Sequence, residues 1–325
     1  MGNSQQILHS TMLVIGGCEL SLERNPVGVI DQVSYNSELK RFQRSRFAHS
    51  LSIPVRSPTA NLFNNRLYVV GGCRAKQDHI GDVQVLDIEQ STGWSIHETL
   101  KLNHPRSCHM SALHGNHLYV LGGWDGIDCL NIIEKADLSS NTPTFIQLPK
   151  GSGLQGPVKN GACCIDEGKI IIIGGWDERE TKANILVFDP VTECTNFVGA
   201  LPKGVEGHSI AKVGSIVYII GGFDGYGVTD TIMSLDLRTR NSEILDITLD
   251  QKRENHTCEV VKAGDETLII VNGGWSGSKA ISHYEVFRVV NEGKSLEKVS
   301  TNDYIEEKEG DEQVRNRPCS ITVPL

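Results

Sequence analysis

Short apolar runs that end in a pair of glycines recur along the chain. Each run consists of Val, Ile, Leu, Tyr or Met, and it is too short for a helix but suits a strand that is buried on both faces. The first glycine of each pair is Gly16, Gly71, Gly122, Gly174, Gly221 or Gly273. The steps between these positions are 55, 51, 52, 47 and 52 residues, so the pattern predicts six copies of one unit.

Each unit contains four candidate strands. A weaker apolar segment precedes the glycine-ended run, an alternating segment such as 82–89 follows it, and a fourth segment carries an apolar anchor. The anchors are Trp94, Phe145, Phe197 and Ile244. A lone four-stranded sheet needs neighbours to cover its faces. The pattern therefore predicts an all-β fold, a six-bladed β-propeller with four-stranded antiparallel blades.

Asp and Asn recur at both ends of the third segment. The residues before it are Asp31, Asp82, Asn131, Asn184 and Asp230, and the residues near its end are Asn36, Asp87, Asp137, Asp189 and Asp236. Side chains of this type accept hydrogen bonds from backbone N–H groups in turns. We interpret both sets as turn-forming residues, not as metal ligands or catalytic carboxylates.

The two ends of the chain are unequal. Only 15 residues precede the first glycine pair and 51 follow the last, and segment 317–323 resembles segment 106–112, which leads into a glycine-ended run. We therefore predict that a closing strand at about 317–324 pairs beside 12–15 in the first blade. Residues 1–325 are expected to form a single propeller domain, with a solvated acidic loop at about 303–312.

Composition narrows the function classes. The chain has 31 Lys and Arg against 40 Asp and Glu, a net charge of −9, which argues against nucleic-acid binding. The longest apolar run is far shorter than the ~20 residues of a membrane helix, and no secretory leader is visible. Nine cysteines without C-x-x-C spacing favour reduced thiols. We expect a cytoplasmic or nuclear protein that binds neither nucleic acid nor membranes.

Catalytic motifs are not found. The sequence has no P-loop, no G-x-S-x-G elbow and no H-E-x-x-H motif. His109, His208 and His256 hold similar places ahead of their glycine pairs, where a metal site in the central channel is one interpretation. We favour the other, in which they cap or pack the inner strands. The prediction is a protein that is not an enzyme, with no metal and no cofactor.

The sequence resembles the Kelch family over essentially the whole chain. The resemblance rests on the glycine pairs, the Asp or Asn before the next strand, the aromatic anchor of the last strand and the ~50-residue period. Segment 118–140, LYVLGGWDGIDCLNIIEKADLSS, is most similar to the Kelch portion of BTB-BACK-Kelch adaptors. The sequence departs from the pattern at Cys18 and Cys73, which stand where an aromatic residue often follows the glycine pair.

The resemblance implies a protein-interaction domain that serves as the substrate-recognition part of a cullin-type ubiquitin ligase. BTB or BACK regions, which would contact the cullin, are not in this sequence. Two alternatives within the same fold remain open. One is an actin-binding cytoskeletal scaffold, and the other is a propeller enzyme such as a sialic-acid (sugar) mutarotase.

The resemblance also indicates a partner-binding face, formed by the residue after each glycine pair and by the loops that lead into the inner strands. The predicted partner-binding residues are Arg56, Arg74, Arg106, Ser107, Trp124, Lys159, Asn160, Trp176, Phe223, Arg253 and Trp275. Blades two to four are expected to offer basic groups, which suit an acidic peptide or a free C-terminus. The alternative is that the aromatic residues only pack between blades.

Overall fold

The computed structural model describes residues 10–18, 25–90, 92–149, 151–306 and 315–324. They form six sheets, one for each predicted unit, in which all strand pairs are antiparallel except one pair in blade 1. Blade 1 contains β1 (Ser10–Ile15), β2 (Ile30–Asn36) and β3 (Arg41–Arg46), and blade 2 contains β4 (Thr59–Phe63), β5 (Arg66–Val70), β6 (Asp82–Asp87) and β7 (Ser95–Lys101). Blade 3 contains β8 (Met110–His114), β9 (His117–Leu121), β10 (Ile133–Asp137) and β11 (Ile146–Gln147).

The remaining blades follow the same order. Blade 4 contains β12 (Ala162–Asp166), β13 (Lys169–Ile173), β14 (Asn184–Asp189) and β15 (Cys194–Ala200), and blade 5 contains β16 (Ser209–Val213), β17 (Ile216–Ile220), β18 (Thr231–Asp236) and β19 (Ser242–Thr248). Blade 6 contains β20 (Thr257–Ala263), β21 (Glu266–Asn272), β22 (Tyr284–Val290) and β23 (Ser295–Val299). One helical turn, α1 (Thr301–Tyr304), and the strands β24 (Ile305–Glu306) and β25 (Cys319–Pro324) complete the described chain, with short 3-10 turns at Ala75–Gln77 and Asn291–Gly293.

Six apolar clusters join the blades into a ring. Each cluster combines side chains from two neighbouring blades, and blade 6 packs on blade 1 in the same way as blade 3 packs on blade 4. In β13, Ile170 and Ile172 face blade 3 whereas Ile171 and Ile173 face blade 5, because side chains alternate along a strand. Both faces are therefore apolar, and the predicted six-bladed propeller is confirmed.

The predicted closing strand is confirmed. β25 pairs antiparallel with β1, with Cys319 opposite Ile15 and Val323 opposite Thr11, and Val323 is buried in the cluster between blades 1 and 2. The hydroxyls of Ser320 and Thr322 each donate to the Glu259 carboxylate of blade 6 at 2.8 Å. The end of the chain thus joins blade 1 to both of its neighbours.

Most of the predicted acidic loop lies outside the described residues, which omit 307–314. Its described beginning is ordered against the ring. α1 leads into β24, which pairs in parallel with β3, and Ile305 is buried between blades 6 and 1. Blade 1 therefore has five strands, in the order β24-β3-β2-β1-β25.

Two details of the predicted repeat are wrong. Phe197 and Ile244 are exposed, at 56% and 45%, whereas Trp94 and Phe145 pack into the clusters as predicted. The outermost strands lie where neighbouring blades diverge, so a side chain there can extend past its neighbour. Asp31 is also not a turn residue, because it is buried and paired with arginines.

The second set of turn residues behaves as predicted. The side chain of each accepts a backbone N–H two or three residues later; for example, Asp137 accepts from Ser139 at 2.9 Å and Asp236 accepts from Arg238 at 2.8 Å. The Ser139 hydroxyl, followed by the Ser139 N–H, lowers the pKa of the Asp137 carboxyl, and the Arg238 N–H lowers the pKa of the Asp236 carboxyl, because these hydrogen bonds favour the charged form.

Within the described ranges, the structure contains no helix that is long and apolar enough to span a bilayer.

Candidate interaction face around the central channel

Six residues around the propeller axis form a closed ring of backbone hydrogen bonds. In each of them the N–H donates to the carbonyl of the member one blade earlier, at 2.7 to 3.1 Å, and all six have φ between 51° and 60°. The members of this backbone ring are Ser57, Cys108, Asn160, Gly207, Asn255 and Arg317. They line a cavity of about 110 Å³ at the channel mouth. The mouth therefore has a fixed backbone outline.

The structure brings the two predicted rings of residues together. The residue after each glycine pair forms a backbone bridge with the residue that precedes a member of the backbone ring. The bridges are Cys18–Asn316, Cys73–Arg56, Trp124–Ser107, Trp176–Lys159, Phe223–Glu206 and Trp275–Glu254. Both predicted sets consequently lie on one face of the propeller, where the glycine-pair loops and the loops into the inner strands meet.

An aromatic and basic cluster lies on this face at blades 3 and 4. The Lys159 ammonium lies 3.9 Å from the ring centroid of Trp124 and 4.7 Å from that of Trp176, so two indole faces contact one cation. All three side chains are half-buried, as are Phe223 and Trp275. In contrast, Cys18 and Cys73 are buried. The aromatic surface therefore occupies blades 3 to 6.

Two of the predicted basic residues are not on the surface. Arg106 and Arg253 are fully buried, and each guanidinium is bound within its own blade. Arg106 donates to the Gly122 carbonyl at 2.9 Å and pairs with Glu134, and Arg253 donates to Gly273 at 3.0 Å and to Glu285 at 2.5 Å. The expectation that Arg106 offers a basic group on the face is wrong, and burial likewise contradicts the prediction that Arg253 contacts a partner there, because the donors of both guanidiniums are already used inside the protein.

The other predicted residues differ in their contacts. Ser107 is buried, Arg56 is half-buried, and Arg74 is exposed and paired with Asp78. Asn160 is half-buried and donates its side-chain amide to Glu206 at 2.8 Å. The basic character of blades 2 to 4 is therefore weaker than the sequence indicated.

The buried arginines belong to a repeated position that the sequence reasoning missed. Six residues, two places before each member of the backbone ring, accept the N–H of the second glycine of the preceding blade at 2.8 to 2.9 Å. We name them the junction residues: Val55, Arg106, Val158, Val205, Arg253 and Arg315. The sequence does contain a signal for the three buried arginines. The third strand of blades 1, 3 and 6 carries a carboxylate at one equivalent position, Asp31, Glu134 or Glu285. The other three blades have Gln84, Leu186 or Met233 at that position.

The three histidines lie between the glycine pairs of neighbouring blades. A Cβ on Gly71 would lie 3.0 Å from the His109 ring, and a Cβ on Gly123 would lie 2.8 Å from the His109 Cβ, so only glycine leaves room. Burial, followed by the charge of Arg106, lowers the pKa of His109 to about 3, and burial lowers the pKa of His208 to about 4. Burial first and Arg253 second also lower the pKa of His256.

These neutral imidazoles fit the packing interpretation. Among the side chains that the structure describes, no group of three His, Cys, Asp or Glu is placed to hold a metal ion.

Comparison with known proteins assigns the fold to a family. Residues 3–196 match the profile of the KLHDC2/KLHL20/DRC7 Kelch-repeats domain. A probable serine/threonine-protein kinase of Dictyostelium discoideum is 26% identical over 199 residues, which are 57% of this chain and 14% of that protein. The Kelch-like protein terF of Aspergillus terreus is 28% identical over 169 residues, 45% of this chain and 36% of that protein.

A viral protein is also similar to part of this chain. Kelch repeat and BTB domain-containing protein 1 of cowpox virus is 26% identical over 173 residues, 51% of this chain and 29% of that protein. The chain thus spans less than two fifths of the length of each of these three relatives. Kelch propellers are in general protein-interaction domains, and the matched profile covers more than half of the residues. The chain belongs to the Kelch-repeat family.

Proposed function

We propose that this propeller binds a segment of another protein on the face that carries the backbone ring. The observation that supports this most is the cluster of Trp124, Lys159 and Trp176, which is half-buried at the channel mouth. Large rigid aromatic side chains at a concave mouth are typical of interface hot spots. Phe223 and Trp275 extend the same surface across blades 5 and 6.

The shape of the face also supports binding. The backbone ring and the bridges to the glycine-pair loops fix the positions of the aromatic residues, so little ordering entropy is lost when a partner binds. The acidic-peptide prediction keeps only part of its support, since Arg106 is buried and Arg74 is paired with Asp78. Arg56 and Lys159, which are both half-buried, are the predicted basic residues whose side chains lie on this face.

We further propose that the bound protein is a substrate delivered to a cullin-type ubiquitin ligase. The resemblance to BTB-BACK-Kelch adaptors supports this role, and one relative carries a BTB domain in its name. The contact with the cullin would be made by a BTB or BACK region outside this sequence or on another chain.

Affinity capture with three versions of the tagged propeller tests the binding role. The wild type is compared with a Trp124→Ala, Trp176→Ala double variant and with Val191→Ala, whose exposed side chain lies in the turn between β14 and β15 on the opposite face. We expect captured proteins that the double variant loses and the control retains. Identical capture by all three folded proteins would contradict binding at this face.

The ligase role has its own test. Deleting the propeller in cells should raise the level of a partner that the capture has identified, and restoring the wild type should lower it again. A partner whose level and ubiquitylation do not change in either direction would contradict the ligase role.

A further inference from the structure

Five loops that follow glycine pairs, in blades 2 to 6, lie side by side on the face. We name them the crown loops: 73–79, 124–130, 176–182, 223–229 and 275–281. Neighbouring crown loops contact each other. The Cys129 N–H donates to the Glu178 carboxylate at 2.6 Å, and a Cβ on Gly225 would lie 3.0 Å from the Thr181 hydroxyl. The crown loops of blades 3 to 5 therefore form one continuous stretch of surface.

Two crown loops carry large apolar side chains at their tips. Ile127 is 79% exposed in blade 3 and Tyr226 is 98% exposed in blade 5. Their positions are held by turns, because the Ile127 N–H donates to Asp125 at 2.8 Å and the Tyr226 N–H donates to Asp224 at 3.0 Å. These side chains project from ordered loops, and apolar groups displayed in this way are typical of interaction sites.

Acidic side chains lie between the two apolar tips. Loops 124–130 and 176–182 together contain five carboxylates and two cations. One of the cations, Lys182, pairs with Asp177 at 2.6 Å and with Glu180 at 2.9 Å. The second cation, Arg179, is exposed, as are Asp128 and Glu178. Loop 73–79 of blade 2 has the opposite balance, with two cations and one carboxylate.

We propose that the crown loops of blades 3 to 5 bind a basic, apolar segment of a partner protein, whose two apolar side chains contact Ile127 and Tyr226 and whose Lys or Arg residues face the exposed carboxylates of Asp128 and Glu178. The proposal rests on the proposed function and names the partner's chemistry. Complementary charge sets the approach and orientation of a partner, whereas desolvated apolar anchors supply most of the affinity. Loop 73–79 of blade 2 has two cations and one carboxylate, a net charge of +1, which disfavours the same basic segment there. The segment is therefore expected to bind over blades 3 to 5 and not over blade 2.

The test uses two synthetic peptide libraries and the whole chain. Both libraries place two leucines at spacings of two to six residues, and the remaining positions are Lys, Arg and Ser in one library and Asp, Glu and Ser in the other. Fluorescence anisotropy at low salt measures binding. We expect the basic library to supply the tighter ligands, by roughly tenfold or more, and their affinity to fall as salt is raised.

Variants place the site. Ile127→Ser and Tyr226→Ser should each weaken the binding of the best basic peptide by about tenfold. Asp128→Lys should also weaken this binding, and by more at low salt than at high salt. Val191→Ser removes an equally exposed apolar side chain from the opposite face and should leave the affinity within about twofold. All four changes are at exposed positions, and circular dichroism verifies that the variants fold.

Two results would overturn the proposal. One is tighter binding of the acidic library, and the other is equal binding of the basic peptide to Ile127→Ser, Tyr226→Ser and the wild type. These outcomes are separate from failure of the proposed function. If natural partners are lost from Trp124→Ala, Trp176→Ala but kept by the tip variants, the face binds proteins while the crown-loop inference is wrong.

Discussion

The junctions of blades 3 and 4 have the same backbone contact but different side chains, a buried ion pair in blade 3 and an apolar pair in blade 4. In blade 3 the junction residue is Arg106, whose guanidinium pairs with Glu134 in the interior. In blade 4 it is Val158, which shares an apolar cluster with Leu186 at the position equivalent to Glu134. The backbone contact is the same in both, with a glycine N–H of the preceding blade at 2.8 Å from the junction carbonyl.

The comparison shows which part of the junction is common to all blades and which part is specific to a blade with an arginine. The fold needs the backbone contact, since it recurs at all six junctions. The arginine adds directional bonds, because its carboxylate partner also accepts backbone N–H groups of the incoming loop, as Glu134 does from Asn103 at 2.8 Å. A buried ion pair of this kind gives little net stability over an apolar pair, yet it is costly to break.

The largest expected effect comes from removing the closing strand while keeping its junction. A chain that ends at Asn316 retains Arg315, which pairs with Asp31 at 3.0 Å, but lacks β25. The apolar side chains of β25 contribute about 1.5 to 3 kcal/mol each when buried, against a total of ~5 to 15 kcal/mol. We expect loss of cooperative thermal unfolding. A melting temperature within a degree or two of the intact chain would show that the junction alone closes the ring.

The next effect breaks the buried pair of blade 3. Arg106→Met leaves Glu134 buried without its cation, and we expect the free energy of unfolding to fall by about 3 to 5 kcal/mol. The double variant Arg106→Val, Glu134→Leu copies the blade 4 pair and should recover most of this loss. Urea denaturation measures both proteins. A double variant no more stable than Arg106→Met would mean that the arginine does more than neutralise Glu134.

The pH dependence of stability is a way to compare the histidine that follows an arginine junction residue, His109, with the one that follows a valine junction residue, His208. Their pKa values are lowered on folding from 6.5, to about 3 for His109 and about 4 for His208, so the unfolded chain takes up protons first as the pH falls. The free energy of unfolding should therefore drop below about pH 6.5, by about 1.4 kcal/mol per pH unit for each buried histidine. Urea midpoints between pH 7 and 5 measure the slope.

His208→Gln should reduce that slope by one histidine's share, because His208 follows the valine junction residue Val205 and its pKa is lowered by burial alone. Arg106→Met should raise the pKa of His109, because it removes a nearby positive charge. Histidine NMR titration distinguishes the two sites. A slope that is the same in wild type and His208→Gln would contradict the burial of a neutral imidazole.

The smallest effect concerns an arginine of the same face that is exposed. Arg74 pairs with Asp78, and both side chains are about half exposed, at 47% and 50%. Arg74→Ala should change the free energy of unfolding by less than about 1 kcal/mol. A loss comparable to that of Arg106→Met would mean that exposure does not separate the two arginines.

The sequence was sufficient for the architecture but only partly for the face. The glycine-ended runs and the likeness of segment 317–323 to an inner strand predicted the blades and their closure, because both depend on local pattern repeated six times. Arg106 is buried because it pairs with Glu134, 28 residues away. The local sequence does not show whether a loop arginine pairs with a carboxylate in the interior or is exposed to water. Exposure of Phe197 was missed because blade divergence is a property of the ring, not of the strand.

The backbone ring has a consequence for how binding can diversify. Its six amide hydrogens all point to carbonyls of the same ring, so these six main-chain donors are not available to a ligand. Discrimination must then come from side chains, and five of the six members are not glycine. Substitutions at these positions can therefore change which partner is recognised while the hydrogen bonds of the backbone ring stay unchanged.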